Sequence, residues 1–564
     1  LKAILTNIID DTYMSKNLSE LSGRKGLEKN LFEELGIAAR TTGTPNKEDI
    51  DILAEEFLMG KANIYGTTSF YDFLRPENKG KKVYVCNGSA CLTAGTQNKL
   101  KEQLQSSFDA NEIGEMCCLG RCHENNAFHH NGHNYSGEAI HHINSIKNKE
   151  YPVQEKYHAG SLGKAILTQP IGEVKTYYQT WEKALKSNPD ALLAELKTSG
   201  LRGRGGAGFP IGFKLESAKN TPSKTKFIVC NADEGDPGAY SDRYLLEERI
   251  HSVLLGMMIG GYIMGAGWGV LYIRAEYPES ITITNQAIQE IRNLGFIGND
   301  IFGSGFSFDF KVISAQGAYI CGEETALLSS IEGQRPEVRV RPPYPTQHGL
   351  FNKPTVVNNV ETLANIPFVI SEGGAAFAAI GKGKSTGTKL VSLDGFFNRP
   401  GIYEVEMGTP LSQVIDTCGM GFKSKVKAMH IGGPLGGLVP VSKINDLSID
   451  FETFASQKFL LGHASIVCLP ESFPIIDYIE HLFQFTAHES CGKCFPCRLG
   501  STRGYELVKG AKENNASIDP VLFDDLITTM EIGSLCALGG GLPLPIRNAL
   551  QYFSDELNPY FQTH

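Results

Sequence analysis

The sequence predicts a multidomain α/β protein ending in a helical unit, on three observations: its length, two compact cysteine sets far apart in the chain, and a middle that changes from mixed helix and strand patterning to short β-like runs. At 564 residues the chain is well beyond the size at which one hydrophobic core keeps growing. Its 41% hydrophobic and 20% charged residues match the globular average and exclude a disordered chain. No apolar run reaches the roughly 18 residues a membrane span needs. Leu1 to Asp10 carries only Lys2 as a basic residue, so neither a secretory signal nor a transit peptide is expected, and the location expected is cytoplasmic. A net charge of −9 with no Lys/Arg block excludes a nucleic-acid partner.

In chain order, residues 1–80 form a helical lead-in, as in the apolar and charged spacing of Ile50 to Leu58. Residues 81–150 form a compact α/β unit, with Lys81 to Cys86 a strand that delivers a cysteine at its end and Thr96 to Ser107 the helix after it. Lys147 to Lys156 is polar and aperiodic, as a linker is. Residues 160–382 form a large glycine-rich α/β domain around a ligand, with Lys226 to Cys230 as an apolar strand. Residues 386–470 form a β-rich domain, from runs such as Thr388 to Leu393 and Gly401 to Val405. Residues 471–564 are helical.

The chain has 13 cysteines, and eight fall into two sets, which in a long chain without a secretion signal means metal rather than disulfides. Cys491-Gly-Lys-Cys494-Phe-Pro-Cys497 with the remote Cys536 offers three thiolates from one loop and a fourth to close the cage, the ligand set of a 4Fe-4S cluster. A structural zinc site is the alternative, although zinc usually takes two CxxC pairs. Cys86 and Cys91 with Cys118 and Cys122 supply two pairs from two loops, which suits a 2Fe-2S cluster or, again, zinc. Cys117 competes with Cys118, and spacing does not choose between them. His123, His129, His130 and His133 lack ligand spacing and are expected in a solvated polar loop.

Leu201 to Lys214 contains GxGxxG at Gly203, Gly205 and Gly208. A dinucleotide fingerprint must follow a strand, whereas Asp190 to Lys197 before it has helical spacing, so the ordinary dinucleotide fold is disfavoured. What remains is backbone able to approach a phosphate or ring closely, with Lys214 as a point charge. Asn231 to Gly238, after a strand, and Gly317 to Thr325 are rich in groups that could orient a flavin or nicotinamide.

Together these segments, with Pro354 to Thr362, Glu489 to Arg498 and Ser534 to Gly539, resemble the NADH-oxidising flavoprotein subunit of respiratory complex I and its relatives in NAD-reducing hydrogenases and formate dehydrogenases. The front part resembles the thioredoxin-like 2Fe-2S subunit of the same enzymes, fused on, as in the diaphorase subunit of NAD-reducing nickel-iron hydrogenases. The resemblance implies a thioredoxin-like N-terminal domain, a Rossmann-like FMN and NADH domain of non-standard type, a β-grasp (SLBB) domain and a C-terminal helical bundle with the 4Fe-4S cluster. It places FMN against Gly203, Gly205, Gly206 and Lys214, with Asn231, Asp233, Tyr319, Gly322, Asn358 and Asn359 around it. NAD(H) would stack near Phe209 and Tyr344 and approach Glu234, Asp236, Glu323 and Glu324, of which Glu234 and Glu324 would tune the hydride geometry. The sequence departs from the family at Ser217, where an aromatic is expected, at Asp236 for a glutamate and at Arg341 for a lysine, and the stretch between Cys91 and Cys118 is short.

A hydride carries two electrons and an iron cubane accepts one, so a flavin must convert between them. The expected function is therefore exchange of a hydride between NAD(H) and FMN, with electrons passing through the 4Fe-4S and 2Fe-2S clusters to partner subunits of a redox complex, a hydrogenase before a formate dehydrogenase. An acidic side chain at 236 would repel a 2′-phosphate, which predicts NAD over NADP. The rivals are an electron-bifurcating NADH/ferredoxin enzyme, disfavoured because no cysteine follows Cys536, and a zinc-stabilised scaffold without catalysis.

Overall fold

The computed structural model describes residues 26–40, 42–152, 157–514 and 516–561. At its centre is a parallel four-stranded sheet ordered Asp309–Ser314, Trp268–Ile273, Phe227–Ala232, Thr355–Asn359, the 3-2-1-4 order of a doubly wound domain. Strand alternation sends Ile228 and Cys230 to one face and Phe227 and Val229 to the other. The first face is covered by helix Ile250–Met264, whose residues are buried almost all round, and by helix Val360–Glu372. These helices touch backbone to backbone: a Cβ on Gly256 would lie 1.9 Å from the Leu363 carbonyl oxygen.

The second face is covered partly by helix Glu324–Ile331 and partly by the lead-in, whose helices are Leu31–Ala39, Lys47–Glu56 and Lys61–Thr68. The lead-in therefore shares its core with the central domain: Leu31, Phe32, Leu35 and Tyr71 pack with Val229, Val270 and Tyr272. Its end is tied down by Asp72 N–H to Gly317 O at 2.8 Å and by the Tyr71 hydroxyl to Ser330 Oγ at 3.0 Å. Of the expected 1–80 segment, residues 1–25 lie outside the described ones.

The next unit is a four-stranded sheet, Ile113–Met116, Val83–Cys86, Phe128–His130, His133–Tyr135, with the first pair parallel and the rest antiparallel. This changes the reading of its histidines. They were expected in a solvated loop, but His129 and His130 sit in a strand, and His123 and His129 are buried.

The β-rich domain is a six-stranded mixed sheet ordered Gly437–Pro440, Val426–Ile431, Ser465–Pro470, Thr388–Leu393, Gly401–Glu406, His158–Leu162. The last strand corrects the expected boundary. His158–Leu162 precedes the central domain in sequence, yet pairs in parallel with Gly401–Glu406. Its composition, His-Ala-Gly-Ser-Leu, carries no strand signal, and the partner strand imposes the conformation. This sheet is joined to the central domain by a buried ion pair between Lys389 and Glu361, whose second oxygen accepts Leu390 N–H at 3.0 Å. The chain ends in a bundle built on helices Ile475–Glu489, Phe495–Asn514, Pro520–Gly533 and Pro543–Tyr552. Among the described residues no helix is long and apolar enough to cross a membrane.

Because backbone rather than a flexible side chain meets the position, Gly256→Ala forces the two helices apart. Chemical denaturation should show a loss of about 1–3 kcal/mol.

Candidate functional site

In a sheet of order 3-2-1-4 the chain leaves strands 1 and 4 in opposite directions, which opens a crevice at their carboxyl ends. Phe227–Ala232 and Thr355–Asn359 are those strands, and their register sets Asn231 beside Asn359 and Cys230 beside Asn358. Over the crevice runs the glycine loop, which joins helices Pro189–Ser199 and Ile211–Asn220 and follows no strand. It closes on itself through Gly203 N–H to Phe209 O at 2.8 Å. Gly206 and Gly208 hold φ of +122° and +60°, conformations side chains disfavour. A Cβ on Gly205 would come within 2.9 Å of Asn359 Cβ, whereas one on Gly206 would meet only Gly462 Cα at 3.9 Å, so here the backbone faces open space.

Arg204, which sequence reasoning missed, anchors this loop. It is buried, its N–H donates to Thr362 Oγ1 at 2.8 Å and its guanidinium to Thr386 O at 2.6 Å. Burial lowers its pKa to about 10, with Glu361 opposing, so it stays charged at neutral pH. Arg202 reaches the β-rich domain, pairing with Glu452 at 2.7 Å and lying over the Phe451 ring.

The acidic loop after the first strand holds Asp233, Glu234 and Asp236, all buried. Burial pushes the Asp233 carboxyl well above the usual carboxylate range, against the pull of Arg274. Glu234 was expected beside the nicotinamide, but its oxygens accept Asp242 N–H at 2.9 Å, Arg243 N–H at 3.1 Å and the Tyr277 hydroxyl at 3.1 Å. It therefore anchors the N terminus of helix Ser241–Glu248 and presents no free carboxylate. Asp236 accepts from the Tyr319 hydroxyl at 2.6 Å and pairs with His463 Nδ1 at 2.6 Å, so its charge is met and the repulsion of a 2′-phosphate expected from it is compensated.

Glu324 is neutralised twice, by Lys214 at 2.9 Å and Arg341 at 3.2 Å, and Lys214 also donates to Val357 O at 3.1 Å. Glu323 caps helix Glu324–Ile331. Asn359 caps helix Val360–Glu372 through Oδ1 and donates to Asp242 Oδ2 at 2.5 Å, which leaves its side chain fully engaged. Asn231 donates to Gly322 O at 2.8 Å. Phe209 and Tyr344 are exposed, and Phe209 meets the exposed Phe213 edge to face at 5.6 Å. Ser217 bonds Thr346, and Phe213 supplies an exposed ring four residues earlier on the same helix face.

The residues present fit a polar cofactor. Asp233 Oδ2 and Asn358 Nδ2 are buried without a hydrogen-bond partner, and Glu323 Oε1 meets only Arg341, at 3.7 Å. Such groups are costly unless a ligand completes them.

Both cysteine sets assemble. Cys118 Sγ lies 3.4 Å from Cys122 Sγ, and the thiols of Cys91 and Cys118, with burial, push the Cys86 thiol up. Cys117 lies beside Cys118, each Sγ 3.5 Å from where a Cβ on Gly88 would sit, and it also feels Glu489, Arg274 and Asp72. In the C-terminal set, burial and then the neighbouring thiols raise Cys497 to about 11, and burial raises Cys536 to about 12 with Cys497 and Cys491 adding to it. Burial alone keeps these thiols protonated, and a bound cation would be what lets such a crowded set act as thiolate ligands. Each set is one bond from the cleft. Gly238 N–H donates to Cys122 Sγ at 3.2 Å, and Glu489, two residues before Cys491, accepts Tyr319 N–H at 2.8 Å.

Fold and site thus define an oxidoreductase with a flavin cleft between two iron-sulfur centres. Three family models match in order: "Thioredoxin-like [2Fe-2S] ferredoxin" over residues 19–149, "Nuo51 FMN-binding domain" over 196–368 and "NADH-ubiquinone oxidoreductase-F iron-sulfur binding region" over 477–560. The chain is 43% identical over 384 residues to the NADP-reducing hydrogenase subunit HndC of Solidesulfovibrio fructosivorans, 67% of this chain and 78% of that one. It is 37% identical over 407 residues to the mitochondrial NADH dehydrogenase (ubiquinone) flavoprotein 1 of Dictyostelium discoideum, 70% and 85% of the two chains. A crystal structure of NAD+-reducing [NiFe]-hydrogenase superposes with a TM-score of 0.84 at 26% identity, covering 95% of this chain and 94% of that one. The chain belongs to the NADH dehydrogenase flavoprotein family, and its cofactors are FMN and the 4Fe-4S and 2Fe-2S clusters.

Of the two adjacent cysteines, Cys118 is the one in contact with Cys122. Cys118→Ser should abolish the 2Fe-2S signal in electron paramagnetic resonance and remove about two irons per chain, whereas Cys117→Ser should keep both.

Proposed function

We propose that this chain is the NAD(H)-binding diaphorase subunit of an NAD-reducing hydrogenase complex in the cytoplasm, joined there to a small diaphorase subunit and to the hydrogenase subunits. The observation that carries the reading is the placing of one cofactor cleft between two buried cysteine sets, each one hydrogen bond away. The match to the hydrogenase chain over 95% of this one, front domain included, supports it.

FMN would be held by Gly203, Gly205, Gly206 and Lys214, by Asn231, Asp233 and Asn358, and by the turn Tyr319–Gly322. When bound, FMN exchanges electron pairs with NAD(H) and single electrons with iron-sulfur centres. The chain's own residues orient and shield the reactants. The glycine loop offers backbone amides to an anion, and Phe209, Phe213 and Tyr344 offer exposed rings for stacking at the mouth. Glu324 pairs with Lys214 and Arg341, and Arg341 also pairs with Glu323 at 3.7 Å, so two carboxylates meet two cations and Glu324 acts by fixing their position rather than as a base. Burial pushes the Asp233 carboxyl up, and its Oδ2 is buried without a hydrogen-bond partner, which leaves it open to a ligand. The work is orientation and exclusion of water rather than proton transfer.

Anaerobic addition of NADH should bleach the flavin absorbance of the purified protein; a colourless protein, or a yellow one that NADH leaves unchanged, rejects the reading. Cys491→Ala should keep the flavin-to-protein ratio and flavin bleaching while abolishing the 4Fe-4S signal. Isolation of the native complex should yield nickel-iron hydrogenase subunits and hydrogen-dependent NAD+ reduction, and their absence would reject the hydrogenase assignment alone.

A further inference from the structure

The β-rich domain reaches into the cleft at one point that the cofactor assignments leave unused. The segment Leu461-Gly462-His463, just before strand Ser465–Pro470, passes over the glycine loop, where Gly462 Cα is the nearest atom to the open side of Gly206. Beside it the turn Gly432-Gly433 receives Asp236: a Cβ on Gly433 would lie 2.3 Å from Asp236 Cγ and 2.6 Å from both carboxylate oxygens. Gly432 and Gly433 hold φ of +87° and +85°. The turn is thus a bare seat for one carboxylate, and His463 closes it. Its Nδ1 bonds Asp236 Oδ2 at 2.6 Å, and its Nε2 faces Asp242 Oδ2 at 3.9 Å. Asp242 in turn holds Asn359, at the end of the fourth strand.

We propose that His463 is a positioning residue for the pyridine nucleotide: as an imidazolium between Asp236 and Asp242 it fixes the acidic loop and cancels charge that would otherwise repel the nucleotide diphosphate. This rests on reading the cleft as the NAD(H) site. The groups facing His463 are Asp236, which pairs with it, Asp242 and, farther off, Glu234; Tyr319 bonds Asp236 from the other side, while burial, Glu234 and Glu361 push the Asp242 carboxyl up, against His463 and Lys389, so Asp236 is the partner that carries the charge. His430 on strand Val426–Ile431 also feels Asp236, but burial lowers it to about 4 and it stays neutral. For His463 burial opposes the charge, yet the hydrogen bond and the fields of the carboxylates win and raise it to about 9. The sign follows. The imidazolium is present at neutral pH and is lost as pH rises through about 9, leaving the loop more negative and nucleotide binding weaker.

The test is the dissociation constant of NAD+, measured by calorimetry on the oxidised, flavin-loaded full chain from pH 7 to 10. The wild type should hold a constant affinity to about pH 8 and lose about tenfold by pH 10, the scale of one uncompensated charge at this range. His463→Asn keeps a donor for Asp236 but no charge. It should bind about tenfold more weakly at pH 7, with no further pH dependence, while flavin content stays near wild type even if the melting temperature falls with the loss of the buried pair. His463→Lys, charged across most of the range, should restore the affinity at pH 7 to within about threefold. Wild-type affinity in His463→Asn at pH 7 would overturn the proposal, as would a pH-independent wild type. Flavin loss in proportion to lost binding would make His463 a mere structural tie and overturn it too. A wild-type protein that binds no NAD+ and is not bleached by NADH would instead sink the assignment of the cleft, before any variant is compared.

Discussion

Four carboxylates, those of Asp233, Glu234, Asp236 and Asp242, are buried around one cleft, and the architecture follows from the need to meet their charge. An unpaired buried carboxylate is costly, so each must be hydrogen-bonded, paired or protonated. Glu234 is satisfied by a helix N terminus, Asp236 by a tyrosine and a histidine, and Asp242 by Asn359 with His463 nearby. Burial pushes the Asp233 and Asp242 carboxyls up, Asp233 against the pull of Arg274 and Asp242 against that of His463. The donors come from three parts of the chain: the central domain, the turn at Tyr319 and the β-rich domain.

That distribution explains why the units interlock. The glycine loop is bare and would be mobile alone, but Arg204 ties it to Thr362 and Thr386, and Arg202 ties it to Glu452. The β-rich domain therefore acts as a wall of the site, joined through the buried Lys389 and Glu361 pair. The lead-in braces the opposite face of the parallel sheet and fixes the segment Gln316 to Gly317 from which the Tyr319 turn starts. Rigid elements thus hold short polar loops, as a site dependent on reactant orientation requires.

Much of this was legible in the sequence because the chemistry sits in local motifs. The CxxCxxC run, the glycine loop and the strands at Thr388 and Gly401 declare themselves within a few residues of spacing. Contacts between segments remote in sequence leave no local mark. His463 lies far downstream of Asp236 and belongs to no motif, and Arg204 reads as one more residue of a glycine run. His158–Leu162 carries no strand signal at all. Glu234 shows the same limit, because a carboxylate in a loop looks the same in sequence whether it meets a ligand or caps a helix. Only the structure shows Asp242 and Arg243 amides aimed at it.

The bond from Gly238 to Cys122 has a bearing on shielding. Cys86, Cys91, Cys118 and Cys122 are almost wholly enclosed, and one of them accepts a hydrogen bond from the backbone of a neighbouring unit. A centre held there is screened from bulk water by two units at once, so its exposure to solvent depends on how they dock as much as on the loops that carry its ligands.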